Sequence, residues 1–272
     1  MTMLASWIGV DTHGITSAYI ASDSRITWGN NDVFDYCKKV FACKQFPEIF
    51  GYCGDVLFPS IILSQIVEMI DAEMLFDRDA SCDEKNKRIF EKIMYSLNKY
   101  PDELSDLVQI LHISRETNVK PGVYPNFSGY FLQYKKEKGM TQEKLKIPDQ
   151  SGLLYALGTG STEFKKNYAL YQEEANRNTS RNVFHCFIQT LAERKIPKVG
   201  GPPQLVGIYR KPLTNGHIYG IIYDGKRYLL GMQVSKESVF QNVEWRNELF
   251  ELCDGATGRK LEGAARQPNP LR

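Results

Sequence analysis

The stretch of sequence that decides the fold is TMLASWIGVDTHGITSAYIASDSR, residues 2–25. Residues 3–10 and 16–22 are rich in β-branched, aromatic and small apolar residues, which is typical of core strands. DTHG separates them, and Gly14 can take the positive φ that a tight turn needs. We therefore expect a hairpin of two core strands, with Thr2 directly before it and Asp23 directly after it.

The composition restricts the classes of function. The 272 residues are 42% hydrophobic and 24% charged, which is typical of a soluble globular protein with a sizeable core. A net charge of +2 gives no support for a nucleic-acid partner. No apolar run approaches the roughly 20 residues that span a bilayer, and the first residues lack the basic and apolar regions of a secretory signal. We expect a cytoplasmic protein with no membrane association.

The cysteines and histidines form no metal-binding pattern. None of the cysteines is part of a CxxC pair, and the histidines lack the spacing of zinc ligands. A chain of this length does not need disulfide bonds to be stable. We expect reduced, mostly buried thiols, no metal and no cofactor. The residues concerned are Cys37, Cys43, Cys53, Cys82, Cys186, Cys253, His13, His112, His185 and His217.

Outward from the hairpin, the sequence alternates between strand and helix patterns. In the predicted helices apolar residues recur three to four positions apart, and Asp83 is the expected cap of the second helix. The lysine-rich stretch 135–146 is expected to be a solvated hairpin tip or loop. Helices are predicted at 57–73, 83–99, 161–174 and 180–193, and strands at 38–43, 48–53, 107–114, 126–134, within 153–161, and at 204–211, 217–223 and 227–232.

This order of elements predicts an α+β fold. Two stacked antiparallel sheets with a helical layer on each outer side would bury the apolar faces, which is a four-layer αββα sandwich. We expect a single domain over residues 1–252. Residues 253–272 are rich in glycine, proline, alanine and arginine and are expected to form a flexible tail.

Thr2 has the two groups that an N-terminal nucleophile needs. A threonine hydroxyl is a weak nucleophile, and an N-terminal amine is one base that activates it. An α-amino group titrates near pH ~7.7–8.0, so it accepts a proton at neutral pH. Removal of Met1, which the small second residue permits, would place both groups on Thr2. Many proteins have threonine at position two without a catalytic role, so Thr2 alone does not decide the function.

Four short motifs supply groups that fit around such a residue. Asp23 lies in SDSR, Lys39 in YCKKVF, Gly54 in YCGD, and Thr159 and Ser161 in GTGS. An aspartate and a lysine near an amine hold it and disfavour extra positive charge on it. A glycine N–H at a strand end can face an oxyanion. Read separately, the motifs are also explained as an ion pair, a strand start, a turn and a helix cap.

Taken in this order, the motifs resemble the proteasome β-subunit family of N-terminal nucleophile (Ntn) hydrolases, which includes HslV-type and Anbu-type proteins. The resemblance covers roughly residues 2–232, and the spacing from Asp23 to Lys39 agrees with it. It implies that Thr2 supplies the nucleophile and the base. Lys39 would lower the effective pKa of the Thr2 hydroxyl, and Asp23 would pair with Lys39 and orient the amine.

The resemblance also assigns the remaining site residues. The N–H of Gly54 would form the oxyanion hole, and Thr159 or Ser161 would hydrogen-bond near the α-amine. The substrate pocket would be lined by Ile26, Cys37 and Tyr52. These three are also explained as core residues.

The implied activity is that of a threonine peptidase, which cleaves amide bonds through an acyl-enzyme. Its substrates would be peptides or proteins, and it would form a ring-shaped homo-oligomer. An ATPase would be a possible partner. Two alternatives stay open. A catalytically silent scaffold is favoured by Val199 and Ile196, which stand where many family members have a serine and an aspartate. An Ntn amidase or acylase would use the same chemistry on a non-peptide amide. Serine-triad and phosphate-loop sites are excluded, because the chain lacks their motifs.

Overall fold

Strands and helices alternate in blocks along the chain, which gives the predicted α+β fold. The computed structural model describes residues 2–29, 32–101, 107–117, 119, 122–211 and 215–264. The helices in this part are α1 (Leu57–Asp71), α2 (Cys82–Leu97), α3 (Ser161–Tyr171) and α4 (Ser180–Ala192). The strands are β1 (Leu4–Asp11), β2 (Gly14–Ser22), β3 (Ile26–Thr27), β4 (Val33–Phe34), β5 (Val40–Ala42), β6 (Glu48–Gly54), β7 (Leu107–Arg115), β8 (Phe127–Lys135), β9 (Gly139–Leu145), β10 (Gly152–Leu157), β11 (Gln204–Tyr209), β12 (His217–Tyr223), β13 (Lys226–Leu229), β14 (Met232–Gln233), β15 (Glu244–Arg246) and β16 (Leu252–Cys253).

The strands form two main sheets and one small hairpin. The larger sheet has the order β10-β1-β2-β11-β12-β13-β14, with β15 and β16 added beside β12. The smaller sheet is β5-β6-β7-β8-β9, and β3 pairs only with β4. The pairs are antiparallel except β12 with β15. The predicted hairpin of β1 and β2 therefore lies in the middle of the larger sheet.

Both faces of the larger sheet are buried, because successive side chains of a strand point to opposite faces. In β1, Trp7 packs against Phe184 of α4, with ring centroids 6.1 Å apart. Leu4, on the other face, packs against Gly51 of the smaller sheet. One apolar cluster joins this sheet to α3 and α4, and a second joins residues of the two sheets.

The smaller sheet packs its remaining face on α1 and α2. Apolar side chains one helical turn apart on α1, including Ile62, Ile66 and Ile70, share a cluster with Phe50 of β6 and Leu132 of β8. This is the apolar helix face that the sequence predicts, and it covers the side of the sheet that faces away from β1 and β2.

A group of charged side chains is buried between α2 and the smaller sheet. Glu48 accepts hydrogen bonds from Lys85 at 3.0 Å and Ser114 at 3.0 Å, and lies 2.8 Å from His112. The other ring nitrogen of His112 lies 3.1 Å from Asn86. These five side chains are buried. Their partners satisfy the charges that burial would otherwise penalise.

One local prediction was wrong, and one was right only in part. The cap of α2 is Ser81, whose side chain accepts the N–H of Glu84, so Asp83 lies in the first turn and pairs with Lys144. The lysine-rich stretch contains the predicted hairpin tip at residues 136–138, but its second half is the strand β9. β9 is an edge strand with exposed side chains, so it carries no apolar alternation from which to predict it.

The end of the described chain packs on the larger sheet. Cys253 is buried in β16 and forms a bridge with Lys260. Gly255 lies against the ring of Trp245. Residues 265–272 of the predicted tail lie outside the described residues, as does Met1.

Candidate active site

Strand register brings Thr2, Asp23 and Gly158 to one edge of the larger sheet. Leu4 of β1 is paired with the last residue of β2 on one side and with the last residue of β10 on the other. Because both pairings are antiparallel, the residue before β1 lies beside those that follow β2 and β10. Three of the sequence motifs therefore meet at this edge.

The carboxylate of Asp23 is the centre of the hydrogen-bond network there. It is fully buried. Its Oδ1 accepts from the backbone N–H of Met3 at 3.1 Å and from Nζ of Lys39 at 2.9 Å. Its Oδ2 accepts from the backbone N–H of Gly200 at 3.0 Å and of Arg25 at 3.3 Å. One carboxylate thus joins the chain before β1, the chain before β5 and the loop before β11.

Lys39 is held beside Asp23 with its charge compensated. Its side chain is 1% exposed, and Nζ also donates to the backbone carbonyl of Arg25 at 2.6 Å. Burial of an ammonium group is costly unless it is paired and hydrogen-bonded, and here it is both. The structure therefore places a buried positive charge next to the start of β1.

The turn before α3 fits closely on the backbone of Thr2. The N–H of Gly160 donates to the Thr2 carbonyl at 3.1 Å. Gly158 has φ of +82°, and a Cβ there would collide with that same carbonyl oxygen, so the turn requires glycine. Thr2 itself is buried. Thr159 and Ser161 of the same turn are thereby fixed near it.

Gly54 approaches the site from the smaller sheet. It ends β6 with φ of +98°, and a Cβ there would collide with the backbone carbonyl of Leu107. Asp55 donates its N–H to that carbonyl at 2.9 Å, which fixes the chain direction after Gly54. Gly54 has a positive φ that other residues rarely adopt.

A cavity of about 680 Å³ opens at this edge between the two sheets. Gly54 and Cys53 line it from one sheet, and Gly158, Thr159 and Ser161 line it from the other. The volume is in the range of roughly 300–1,000 Å³ that is usual for small-molecule sites. Burial raises the pKa of the Cys53 thiol to about 12, so this thiol stays neutral.

Of the three residues predicted to line a substrate pocket, Tyr52 points to the other face of β6, and Cys37 contacts it. Cys37 Sγ and the Tyr52 hydroxyl are 3.5 Å apart, and Tyr52 donates to the backbone carbonyl of Lys38 at 3.2 Å. Burial raises the pKa of both Cys37 and Tyr52. Tyr52 is buried, whereas Ile26 is half-buried in β3, opposite Phe34. Their role in binding stays a prediction.

The loop before β11 supports Asp23 through its backbone. Gly200 donates to Asp23 and accepts the N–H of Ser24 at 3.0 Å. Val199, at the position where the resemblance implies a serine, is buried and lies against Gly160. Ile196 packs against the same apolar cluster. The loop is therefore in place, but these two side chains are apolar.

Gln204 is a site residue that sequence reasoning missed. It is fully buried at the start of β11. Its Oε1 accepts the N–H of Lys39 at 3.0 Å, and its Nε2 donates to Ser24 Oγ at 2.8 Å and to the Cys37 carbonyl at 2.7 Å. The only sequence signal is a polar residue that opens an otherwise apolar strand. One carboxamide thus holds together the segments that carry Asp23 and Lys39.

Within the described ranges, no three or more histidine, cysteine, aspartate or glutamate side chains are arranged to hold a metal ion. The described helices are too short or too polar to cross a membrane. All six cysteines are free.

Comparison with known proteins identifies the fold. No protein-family profile matches the sequence, and no curated protein matches it. An Anbu (Gly-1) mutant from Hyphomicrobium sp. strain MC1 is 14% identical, with 84% of this chain and 88% of that chain covered, at a TM-score of 0.52. Anbu (ancestral beta-subunit) from Yersinia bercovieri is 13% identical, with 79% and 86% covered, at a TM-score of 0.52. HslV from Trypanosoma brucei is 9% identical, with 76% and 99% covered, at 0.46.

The chain therefore has a proteasome-like fold. More closely defined, it is the fold of the Anbu proteins, one of the groups that the order of the sequence motifs resembles. At these identities the likeness concerns the fold, and the chemistry has to be argued from the residues of this chain.

Proposed function

We propose that the chain is a threonine-type hydrolase of the N-terminal nucleophile class, with Thr2 as the nucleophile once Met1 is removed. Its fold would then be the four-layer αββα sandwich of that class, in one domain over residues 1–252. The observation that carries the proposal is the buried Asp23 carboxylate, one oxygen of which accepts from both the N–H that follows Thr2 and the Lys39 ammonium. Stability does not require this pair, since apolar side chains of similar volume are often as stable or more so.

In the proposed reaction, the Thr2 hydroxyl oxygen attacks the carbonyl carbon of an amide, and its proton passes to the α-amine. That amine accepts a proton near pH ~7.7–8.0. The N–H of Gly54 donates to the oxyanion of the tetrahedral intermediate, a contribution of about 3–4 kcal/mol for one such donor. The C–N bond then breaks and the leaving nitrogen takes the proton. Water hydrolyses the resulting ester on Thr2.

Lys39 and the turn before α3 have supporting roles in this proposal. The positive charge of Lys39 favours the deprotonated form of a hydroxyl beside it. Thr159 or Ser161 would hydrogen-bond the α-amine and keep it aimed at the hydroxyl. Asp23 positions Lys39 and the backbone behind Thr2.

The proposed setting follows the resemblance to the proteasome-like proteins. We place the enzyme in a ring-shaped homo-oligomer with peptide or protein substrates and an ATPase partner. Six free cysteines fit the reducing conditions of the cytoplasm. A monomer or dimer in size-exclusion chromatography with light scattering would instead favour an amidase or acylase with a non-peptide substrate.

A catalytically silent scaffold is the second candidate. It is favoured by Val199, an apolar side chain that lies against the Gly160 turn next to Thr2. Without a polar group there, the α-amine would lose one hydrogen-bond partner that many family members have.

Intact mass with and without a threonine-directed β-lactone tests the proposal. We expect a mass that lacks Met1 and gains one adduct, mapped to Thr2. Thr2→Ala should take no adduct, while the exposed control Thr141→Ala should react like the wild type. A chain that retains Met1, or a processed chain that takes no adduct, would contradict the proposal and favour the scaffold.

A further inference from the structure

The expected substrate pocket and the open cavity are two different places. Tyr52 is buried with its hydroxyl engaged by Cys37 and Lys38, so its ring fills the space beneath Cys37. Cys53, the next residue of β6, points to the opposite face of the sheet and lines the cavity. Room for a large substrate group therefore lies on the Cys53 side of Gly54.

The walls of the cavity are mostly apolar and carry no charged side chain among the described residues. Leu107 and Leu157 line it together with Tyr155, whose ring packs on Phe131 at 5.1 Å between centroids. Besides the hydroxyls of Thr159 and Ser161 at the turn, Gln109 adds a polar group. Its Oε1 accepts from Cys53 Sγ at 3.1 Å, which leaves its amide N–H groups as donors. Among the described residues, none of those lining the cavity is charged. A charged group placed there would lose its hydration without a counter-charge.

We propose that this cavity binds the leaving-amine half of the substrate and selects a neutral, apolar group with the size of an aromatic side chain. The inference rests on the proposed function and goes beyond it. The other half, the acyl group retained on Thr2, would lie on the Tyr52 side.

The proton transfer determines which half of the substrate lies in the cavity. When the C–N bond breaks, the leaving nitrogen takes the proton that the α-amine received from the Thr2 hydroxyl. The leaving half must therefore lie on the side of the α-amine. Thr159 and Ser161, the proposed partners of that amine, line the cavity, so the cavity is on this side.

A substrate series with one alanyl acyl group and different leaving amines tests the inference. We expect kcat/KM to be at least about tenfold higher for a phenylalanine-amide leaving group than for a lysine-amide or glycine-amide one, in line with what a pocket of this kind discriminates. Equal values across the series would overturn it.

Two variants test the cavity itself. Leu107→Trp fills it and should abolish the preference for phenylalanine amide over glycine amide, whereas the exposed control Leu170→Trp should keep it. Gln109→Glu adds a negative charge to the wall and should raise kcat/KM for the lysine-amide leaving group, unlike Gln65→Glu on the exposed face of α1. A gain of activity cannot result from misfolding, so this gain would support the assignment. A Gln109→Glu variant that reacts with the β-lactone at the wild-type rate but shows no gain would overturn it.

The β-lactone reaction separates this inference from the proposed function, because the lactone has no separate amine half. If the wild type takes no adduct, the proposed function fails. If the Leu107→Trp variant takes the adduct at the wild-type rate and its leaving-amine preference is nevertheless unchanged, only the cavity assignment fails.

Discussion

Replacing Asp23 with asparagine tests the network at the site. The amide keeps the shape of the carboxylate, but one acceptor oxygen becomes an NH2 donor that faces two N–H donors. The Lys39 ammonium also loses its counter-charge. Both side chains are at most 1% exposed, so water does not compensate. Removal of one partner from such a buried pair costs about 3–5 kcal/mol, a large part of a free energy of unfolding of about 5–15 kcal/mol.

Urea unfolding measures this loss through the fluorescence of the buried residues Trp7 and Trp245. With a slope near the upper end of about 1–3 kcal/mol per M, the midpoint should fall by about 1–2 M. The exposed pair of Asp83 with Lys144 is a matched control, and Asp83→Asn should cost about 0–1 kcal/mol.

A double variant decides whether the buried charge is the cause. Asp23→Asn combined with Lys39→Met removes both charges and should recover much of the lost stability, because a buried pair replaced by neutral groups is often nearly neutral in effect. A midpoint that hardly moves in Asp23→Asn, or a double variant no more stable than the single one, would refute the reasoning.

Three further predictions concern single positions. Gly158→Ala should cost more stability than Gly139→Ala in urea unfolding. Both glycines have positive φ, which costs alanine a strain of about 1–3 kcal/mol, but only at Gly158 does a backbone carbonyl stand where Cβ would be placed. Equal losses would contradict the collision. Arg210→Gln should raise the pKa of Asp11 from about 2 towards 3.8 in an NMR titration, since hydrogen bonds from Arg210 are the largest cause of its lowering. The stability from that pair is fully present above pH 3.8 and is lost as the pH falls through about 2, and an unchanged pKa would argue against it. Cys53 should resist iodoacetamide at about pH 8 until the protein unfolds, because only the thiolate reacts; fast alkylation of the folded protein, detected by mass spectrometry, would contradict its raised pKa.

The parts of the fold that the sequence predicts are those with a strong local pattern. The hairpin of β1 and β2 follows from two apolar runs around one turn, and its pairing places Thr2 beside Asp23. α1 follows from isoleucines one turn apart on a single face. The pairing of Asp23 with Lys39 came from the order of motifs rather than from periodicity, and the structure brings these two side chains together.

The parts that the sequence does not predict depend on contacts between distant segments. Glu48 and Lys85 look like surface charges in a local pattern, and only the packing of α2 on the smaller sheet buries them together. Gln204 has no motif of its own, because its role comes from the two segments that it reaches across 165 and 180 residues of chain. The cap of α2 was misplaced because Ser81 and Asp83 are both good N-cap residues at nearly the same position.

The long reach of these contacts has a consequence for when the chain would acquire the proposed activity. Asp23 needs Gly200, 177 residues later, and Lys39 needs Gln204, 165 residues later. A chain still on the ribosome that has not yet reached these residues contains the threonine, the aspartate and the lysine, but it lacks the hydrogen bonds with Gly200 and Gln204 that complete the network. We expect chains stalled before Gly200 to take no β-lactone at Thr2, and an adduct on such a chain would disprove this order of events. Under the proposed function, the nucleophile Thr2 would be synthesised first and become reactive last, so newly made chains could not attack their neighbours before they have folded.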